Sequence, residues 1–235
     1  MSSWKAKRFW KTATAEACEG GYTVRLDGRA VKTPAKSAFV MPTLAMAEAA
    51  AAEWDAQQGA VKPDTMPVTR AVNSAIDKLG AQFDEVVDLL AAYGGSDLLC
   101  YRASGPEGLV ARQAAGWDPL LAWAASDLGA PLRVTSGIVH IDQPPESLAR
   151  LRALTAAFGR FQLAAFHDLV AITGSLVLAF AVTKGRMSAE QAFALSRIDE
   201  AWQAELWGVD EAAAALEASK KQALIEAARF YGLCG

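Results

Sequence analysis

Few side chains in this 235-residue chain could do chemistry, and they do not cluster along the sequence. Only two histidines occur, His140 and His167, and neither lies near a cysteine, so the spacing typical of a zinc site is missing. His167-Asp168 could orient an imidazole, although a histidine satisfied within the fold is the commoner case. Ser96 lacks the Gly-x-Ser-x-Gly context of an exposed nucleophile, and no phosphate-binding glycine motif is found. The sequence therefore predicts no catalytic residue, metal or cofactor, with a hydrolase acting around His167 and Asp168 as the alternative.

Tryptophan is the more unusual feature, because seven occur and several lie beside acidic residues. Trp54 precedes Asp55 in AAEWDAQQ, and Trp117 precedes Asp118 in GWDP. A tryptophan combined with a few charges is typical of interaction hot spots. The alternative is that each ring anchors the core, which we favour for Trp54 and Trp117. We therefore predict both Trp–Asp pairs to be structural or functional anchors.

The segment SRIDEAWQAELWG, residues 196–208, contains two tryptophans and three acids. If it continues a helix that starts near residue 188, a rotation of about 100° per residue places its side chains on two opposite stripes. The apolar stripe, expected to face the core, consists of Gln191, Leu195, Ile198, Trp202 and Leu206. The opposite stripe consists of Arg197, Glu200, Ala204 and Trp207. An ion pair between Arg197 and Glu200 would explain the charges but not an exposed Trp207. Geometry alone leaves a binding stripe and a solvated face equally open.

The composition is that of a globular protein, with 52% hydrophobic and 21% charged residues. A net charge of −3 and a pI of about 5.5 give no electrostatic argument for nucleic-acid binding. Only the start, WKAKRFWK, interleaves basic and aromatic residues. RNA or membrane contact through Lys5, Lys7, Arg8 and Lys11 is therefore an alternative to a solvated first strand.

Cysteine usage and hydropathy indicate the compartment. Cys18, Cys100 and Cys234 are far apart and odd in number, which argues against a disulfide framework and for a reducing compartment. No secretory signal is recognisable at the N-terminus. The most apolar run, residues 169–183, is short for a bilayer and is interrupted by Gly174. We therefore expect a cytoplasmic protein without membrane insertion, in which this run forms a buried central helix.

Three short strands are predicted in the first forty residues. Residues 22–26 alternate in polarity, Asp27-Gly28 is a hairpin turn signal, and Ala30-Val31 begins the return strand. Residues 39–41 form the third strand, which ends at Pro42. Together they predict a small, mostly antiparallel sheet.

From Thr43 onward, the spacing of apolar residues changes from that of a strand to that of a helix. Thr43 is predicted as the N-cap of a helix that ends at Gly59 and whose apolar face is Leu44, Ala47, Ala51 and Trp54. The proline-containing stretch VKPDTMPVT follows, and we place a domain boundary there. The fold class is therefore α+β, with a small N-terminal mostly antiparallel β domain, residues 1–62, and a larger all-helical domain, residues 63–235.

Most of the second domain is predicted to be helical. Helices are expected at about residues 68–78, 82–93 and 106–115, and another from Asp118 as N-cap and Pro119 to Gly129. A long helical region is expected from Pro144-Pro145 to Thr183, with a kink at Gly159 or Gly174. A further helix is expected to begin with a capping box at Ser188–Gln191, and the last to run from Asp210 to about Tyr231. Residues 132–141 are expected to form one short extended excursion.

The chain resembles the assembly chaperones of the F-type ATP synthase that act on the α subunit of its catalytic head, the assembly factor two family. The resemblance is carried by the strings RFWK, GYTVRLDGRAVKTP, AAEWDAQ, MPVTRAVNSAID, LLCYRA, WDPLLAWA and SRIDEAWQAELWG. They occur in family order and together are highly specific. The match weakens over about residues 134–165 and beyond Gly208.

The resemblance implies a non-enzymatic chaperone that holds the new α subunit until the β subunit replaces it. The family's acidic position falls on Glu200, its second arginine on Arg197, and its closing Trp-Gly on Trp207-Gly208. Many relatives have a third acid where this chain has Ala201. The predicted partner-binding residues are Glu200, Arg197, Trp207, Ala204 and Gln203, with Trp202 as a further anchor. Mitochondrial relatives begin with a targeting extension, whereas this sequence begins directly at the RFWK region. We therefore expect a bacterial cytoplasmic protein, with relatives in the mitochondrial matrix, and we expect it to be a monomer.

Overall fold

The computed structural model describes residues 7–208 and 210–235. Two compact units are present. Unit 1 comprises Met1–Phe83, Gly159–Ala165 and Arg229–Gly235, and unit 2 comprises Asp84–Phe158 and Phe166–Ala228. The predicted domains, 1–62 and 63–235, stay a prediction, since compactness alone does not show which segments fold independently. The α+β class is confirmed, with a small N-terminal antiparallel sheet followed by helices.

Unit 1 contains a small antiparallel sheet. Its strands are β1 (Ala13–Cys18), β2 (Gly21–Leu26), β3 (Arg29–Ala30) and β4 (Val40–Met41). Strand β2 is central and pairs with the other three. Asp27 and Gly28 both have positive φ, 47° and 80°, which is the backbone that a tight two-residue hairpin requires. The predicted turn and its flanking strands are confirmed, whereas β1 was missed because its ATAEAC sequence alternates only small and polar residues.

Helix α1 (Leu44–Asp55) packs on this sheet, and α2 (Pro67–Asp77) packs on α1. The predicted N-cap is confirmed, because the Thr43 hydroxyl accepts a hydrogen bond from the Met46 amide at 3.2 Å. The predicted apolar face was partly wrong, since Leu44 is 43% exposed. The buried residues are Met46, Ala47, Ala50 and Ala51. This stripe is rotated from the predicted one, with which it shares Ala47 and Ala51.

The remaining helices are α3 (Leu79–Ala92), α4 (Glu107–Asp127), α5 (Pro145–Ala156), α6 (Arg160–Thr173), α7 (Leu176–Thr183), α8 (Ala189–Leu195), α9 (Ile198–Trp207) and α10 (Glu211–Gly232). Within unit 2, the core centres on α7, whose residues 176–181 are all buried. Two short strands, β5 (Tyr101–Arg102) and β6 (Thr135–Ser136), pair in parallel, and β6 lies within the predicted extended excursion of residues 132–141. Residues 7–208 and 210–235 also contain 3-10 turns at Pro63–Thr65, Tyr93–Ser96 and Leu98–Cys100.

The prediction of a helix start at Asp118 was wrong, because α4 runs through Pro119 without ending. The Asp118 carboxylate pairs with Arg102 at 2.8 Å and does not cap a helix. Burial of Trp117 and Leu120 on either side of the proline anchors both halves of α4. This burial offsets the roughly 3 kcal/mol that an internal proline costs.

The predicted helix from Pro144 to Thr183 is also divided, into α5, α6 and α7. The breaks fall at the two predicted glycines, Gly159 and Gly174, but they end helices where only kinks were expected. Gly174 has a φ of 71°, and Ser175 then caps α7 by accepting from the Leu178 amide. The predicted buried run over residues 169–183 is therefore two helices. Within residues 7–208 and 210–235, no helix is long and apolar enough to cross a membrane.

Candidate partner-binding site

The segment 196–208 does not continue the preceding helix. Helix α8 begins with the predicted capping box of Ser188 and Gln191, but it ends at Leu195. Arg197 has φ −122° and ψ 22°, so α9 starts afresh at Ile198. The prediction of one continuous apolar stripe was therefore wrong on either side of its central residue, Ile198. Ile198 is buried, but Leu206 is 57% exposed.

Two of the three acids in this segment hold α4 against α9. The Asp199 carboxylate accepts a hydrogen bond from the Gln113 side-chain amide at 2.6 Å. The Glu205 carboxylate accepts two from the Arg112 guanidinium, at 2.7 and 2.9 Å. Because of this bidentate pairing, the pKa of Glu205 is lowered. These acids therefore have structural partners.

Glu200 is the third acid, and its carboxylate faces outward. Its side chain is 55% exposed, and Oε1 accepts from Arg197 Nη1 at 3.1 Å. Arg197 is half-buried and more firmly held, because its Nη2 also donates to the Ile172 carbonyl oxygen at 2.6 Å. Its guanidinium lies 5.3 Å from the centre of the Phe193 ring. Arg197 thus joins the C-terminal end of α6 to the first turn of α9.

The two tryptophans of the segment have different environments. Trp202 is half-buried, with the Arg112 guanidinium 4.9 Å from its ring centre. Gly108 lies against this ring, where an added Cβ would come within 2.7 Å of it. Trp207 is 79% exposed at the end of α9, and Gly208 follows with a φ of 87°. The exposure of Trp207 agrees with the predicted stripe.

A cleft of about 680 Å³ lies beside α9, entirely within unit 2. It is lined by Leu98, Trp117, Ala171, Ile172, Thr173, Gly174, Ser196, Arg197, Asp199, Glu200, Gln203 and Lys220. The structure therefore brings three predicted partner-binding residues, Arg197, Glu200 and Gln203, to one cavity. Trp207 and Ala204 do not line it.

Other residues of the cleft were missed by sequence reasoning. Leu98 begins the 3-10 turn Leu98–Cys100, Ile172 and Thr173 end α6, and Lys220 lies on α10. They come from three separate segments, and no spacing in the sequence brings them together. The only available signal was Gly174 with Ser175, which marks a helix junction but does not identify a cavity.

The predicted anchors in unit 1 link Arg8 and Trp10 to α1. Asp55 pairs with Arg8 at 3.1 Å, and Trp54 packs edge-on against Trp10 with ring centres 5.3 Å apart. The Trp10 indole N–H also donates to the Trp54 carbonyl at 3.3 Å. Glu53 is a further anchor. Its carboxylate accepts hydrogen bonds from the first amides of α2.

The predicted anchors in unit 2 are buried more deeply. Trp117 is 1% exposed, and its indole N–H donates to the Leu195 carbonyl at 2.9 Å. The guanidinium of Arg102 lies 5.2 Å from the Trp117 ring centre while pairing with Asp118. This Trp–Asp pair therefore holds β5 and the end of α8 to α4.

The features considered for catalysis lie apart from the cleft lining. His167 Nδ1 lies 3.0 Å from Asp168 Oδ1, a contact between sequence neighbours on the surface of α6. Ser96 is exposed at the end of a 3-10 turn. Across the part of the chain that the structure describes, no three His, Cys, Asp or Glu residues are grouped to hold a metal. The three cysteines are free thiols, and burial raises the pKa of Cys100 to about 12.

The basic N-terminal alternative rests on four residues. Lys5 lies outside the described residues. Arg8 is held by the fold, because its guanidinium donates to the carbonyl oxygens of Gln57 and Lys11, each at 2.8 Å. Lys7 pairs with Ala60 as an isolated antiparallel bridge. Arg8 therefore has a structural role beside Asp55.

The comparisons with known proteins agree on one family. The model of the ATP12 chaperone protein matches residues 7–125, about half of the chain. The mitochondrial protein atp12 of Schizosaccharomyces pombe is 28% identical over 214 residues, which cover 86% of this chain and 74% of that protein. The crystal structure of Atp12 from Paracoccus denitrificans is 50% identical, with a TM-score of 0.96 over 99% of this chain and 100% of that one. A mutant of the Paracoccus protein gives the same identity and TM-score, with both chains fully covered. The chain belongs to the ATP12 chaperone family, the ATP synthase assembly factors that its motifs resemble.

Proposed function

We propose that this protein binds the unassembled α subunit of the ATP synthase catalytic head, shields its β-contacting surface and is displaced by the β subunit. We further propose that it acts as a monomer in a bacterial cytoplasm, through the surface formed by Glu200, Arg197, Gln203, Ala204 and Trp207. The family membership supports a role in assembly, and the geometry of α9 supports the surface.

The single observation that carries the surface is the exposure of Trp207. A tryptophan 79% exposed, with Leu206 beside it at 57%, leaves a large apolar area in water. Exposed apolar groups at a helix end, next to charges, are typical of contact sites in which an aromatic side chain anchors a partner. Trp202 and Trp117 supply the packing beneath, so truncating Trp207 should not disturb the core.

Shielding followed by exchange requires no bond chemistry. An α subunit without its neighbours exposes surface that is apolar in the assembled head, and such surface aggregates. A rigid protein with one aromatic anchor and a few charges can cover it reversibly. The hydrolase alternative would place the reaction at His167 and Asp168, whose contact is local and exposed.

The test is co-purification with isolated α subunit, compared with assembled α/β heads. We expect binding to isolated α, reduced aggregation of α, and release when β is added. Trp207→Ala should weaken the complex at least tenfold, whereas His167→Ala should leave it unchanged. Failure to bind or protect isolated α would refute the proposal. Loss of protection in His167→Ala with unchanged α binding would favour the hydrolase alternative.

A further inference from the structure

We infer that the cleft beside α9 receives a segment of the α subunit that carries a large apolar side chain next to a lysine or arginine. This inference rests on the proposed function and adds the chemistry of the partner segment. The observations behind it are the apolar residues of the cleft lining, the charged groups already paired there, and the net negative charge of unit 2.

Part of the cleft lining is apolar. Leu98, Trp117, Ala171 and Ile172 contribute hydrophobic side chains to it. Its volume, about 680 Å³, lies within the range of roughly 300–1,000 Å³ in which pockets bury a compact ligand. Because the cleft is partly open to solvent, it suits a side chain that projects from a polypeptide. The apolar member of the partner segment is expected here.

Most charges on the α9 wall already have partners within the chain. Arg197 donates to the Ile172 carbonyl and to Glu200 Oε1, and Asp199 accepts from Gln113. Among the residues that the structure describes, Glu200 Oε2 has no hydrogen-bond donor. Asp199 Oδ2 also accepts no hydrogen bond from the described residues, but Glu200 is the more exposed of the two acids. A lysine or arginine can therefore bind the Glu200 carboxylate by a charge-assisted hydrogen bond.

The surroundings favour a cation at the same place. The last turn of α6, with Ala171 and Thr173, lines the cleft, and the C-terminal end of a helix carries partial negative charge. Unit 2 holds 10 Lys and Arg residues against 18 Asp and Glu, a net charge of −8, whereas unit 1 holds 13 against 8, or +5. Lys220 is the one basic side chain on the α10 wall, so the incoming base is expected on the Glu200 side.

Two variants of the full chain test the cleft against isolated α subunit. Ala171→Trp fills the cavity from an exposed position of α6, and Glu200→Lys replaces the Glu200 carboxylate with a cation. We expect each to weaken α binding at least tenfold with unchanged melting temperature. The matched controls are Ala153→Trp on α5 and Glu217→Lys on α10, both exposed and outside the cleft lining, and both should bind α normally.

The partner chemistry is tested by photocrosslinking from position 203, followed by mapping of the α peptide. We expect a peptide with a large apolar residue and a Lys or Arg within four positions of it. Changing that base to Glu should restore binding to Glu200→Lys. A crosslinked peptide without a base, or normal α binding by both cleft variants, would overturn this inference and leave the proposed function standing. If the unaltered chain does not bind α, the proposed function itself fails.

Discussion

Arg197 connects two helices, because its Nη2 donates to the Ile172 carbonyl oxygen at 2.6 Å. We expect Arg197→Ala to lower the free energy of unfolding by about 1–3 kcal/mol, since a half-buried carbonyl at the end of α6 would lose its donor. Urea denaturation measures this change. Glu200→Gln is the matched control, because it retains the Arg197–Ile172 hydrogen bond and should leave stability unchanged. An equal loss in both variants would show that the ion pair, and not the carbonyl contact, holds the junction.

This junction also shows what the sequence could and could not predict. Helical periodicity predicted that Arg197, Glu200 and Trp207 share one stripe, and the exposure of Trp207 agrees with this prediction. The break at Ser196 has no glycine or proline to mark it. Its causes are tertiary, since Arg197 reaches α6 and the Leu195 carbonyl receives the Trp117 indole. Periodicity within one segment cannot contain such long-range contacts.

The overall fold was predictable wherever a local signal was strong. Three local signals were found where expected: the N-cap at Thr43, the turn at Asp27-Gly28 and the capping box at Ser188–Gln191. Pro119 was misread because a local rule favours it at a helix start. Burial of the neighbouring Trp117 outweighed that rule. The cleft could not be predicted, because its lining comes from segments far apart in sequence.

The exposed and buried tryptophans of unit 2 should respond oppositely to truncation. Trp207→Ala is expected to leave the melting temperature unchanged while it weakens α binding. Trp117→Ala should lower the free energy of unfolding by about 3–5 kcal/mol, because it leaves a cavity and an unpaired Leu195 carbonyl. Thermal denaturation and α pull-down, run in parallel, distinguish the two. Marked destabilisation by Trp207→Ala would contradict an exposed contact role.

Glu53 acts as a cap for a helix other than its own. Its two carboxylate oxygens accept from the Val68 and Thr69 amides at 2.7 and 2.8 Å, and α2 has no side-chain cap of its own. Glu53→Gln should therefore cost about 1–2 kcal/mol of stability, since its NH₂ group would face an amide donor. Glu48→Gln, exposed on α1, is the control for charge loss. Equal midpoints for both in urea would exclude the capping role.

Trp54 should be required for the stability of unit 1. It packs edge-on against Trp10 beside the sheet core, and arginine there would place a charge against apolar side chains. We expect Trp54→Arg to lower the free energy of unfolding by about 3 kcal/mol, and Trp54→Phe to lower it much less. Calorimetry of the full chain measures both. An unchanged melting profile for Trp54→Arg would contradict the anchor role.

Asp97 precedes the cleft-lining residue Leu98, and its side chain is fully buried. Ser175 Oγ and the Leu99 amide donate to Oδ1, the Val177 amide donates to Oδ2, and the adjacent Leu98 lines the cavity. Burial outweighs these hydrogen bonds and raises the pKa of Asp97 to about 6, from 3.8. The folded state therefore binds this proton more tightly than the unfolded state does.

The consequence is a pH dependence opposite to that of ordinary paired carboxylates. Stability from this group is fully present below pH 3.8 and is lost as the pH rises through 6. Between pH 5 and pH 7.5 the loss should be about 1.4 kcal/mol. The measurement is urea unfolding of the unaltered chain and of Asp97→Asn across this range. Asparagine cannot titrate and would turn one N–H toward a donor, so the variant should be less stable at every pH but should lack this slope. Parallel pH profiles for the two proteins would show that Asp97 is ionised throughout, with its three hydrogen bonds outweighing burial.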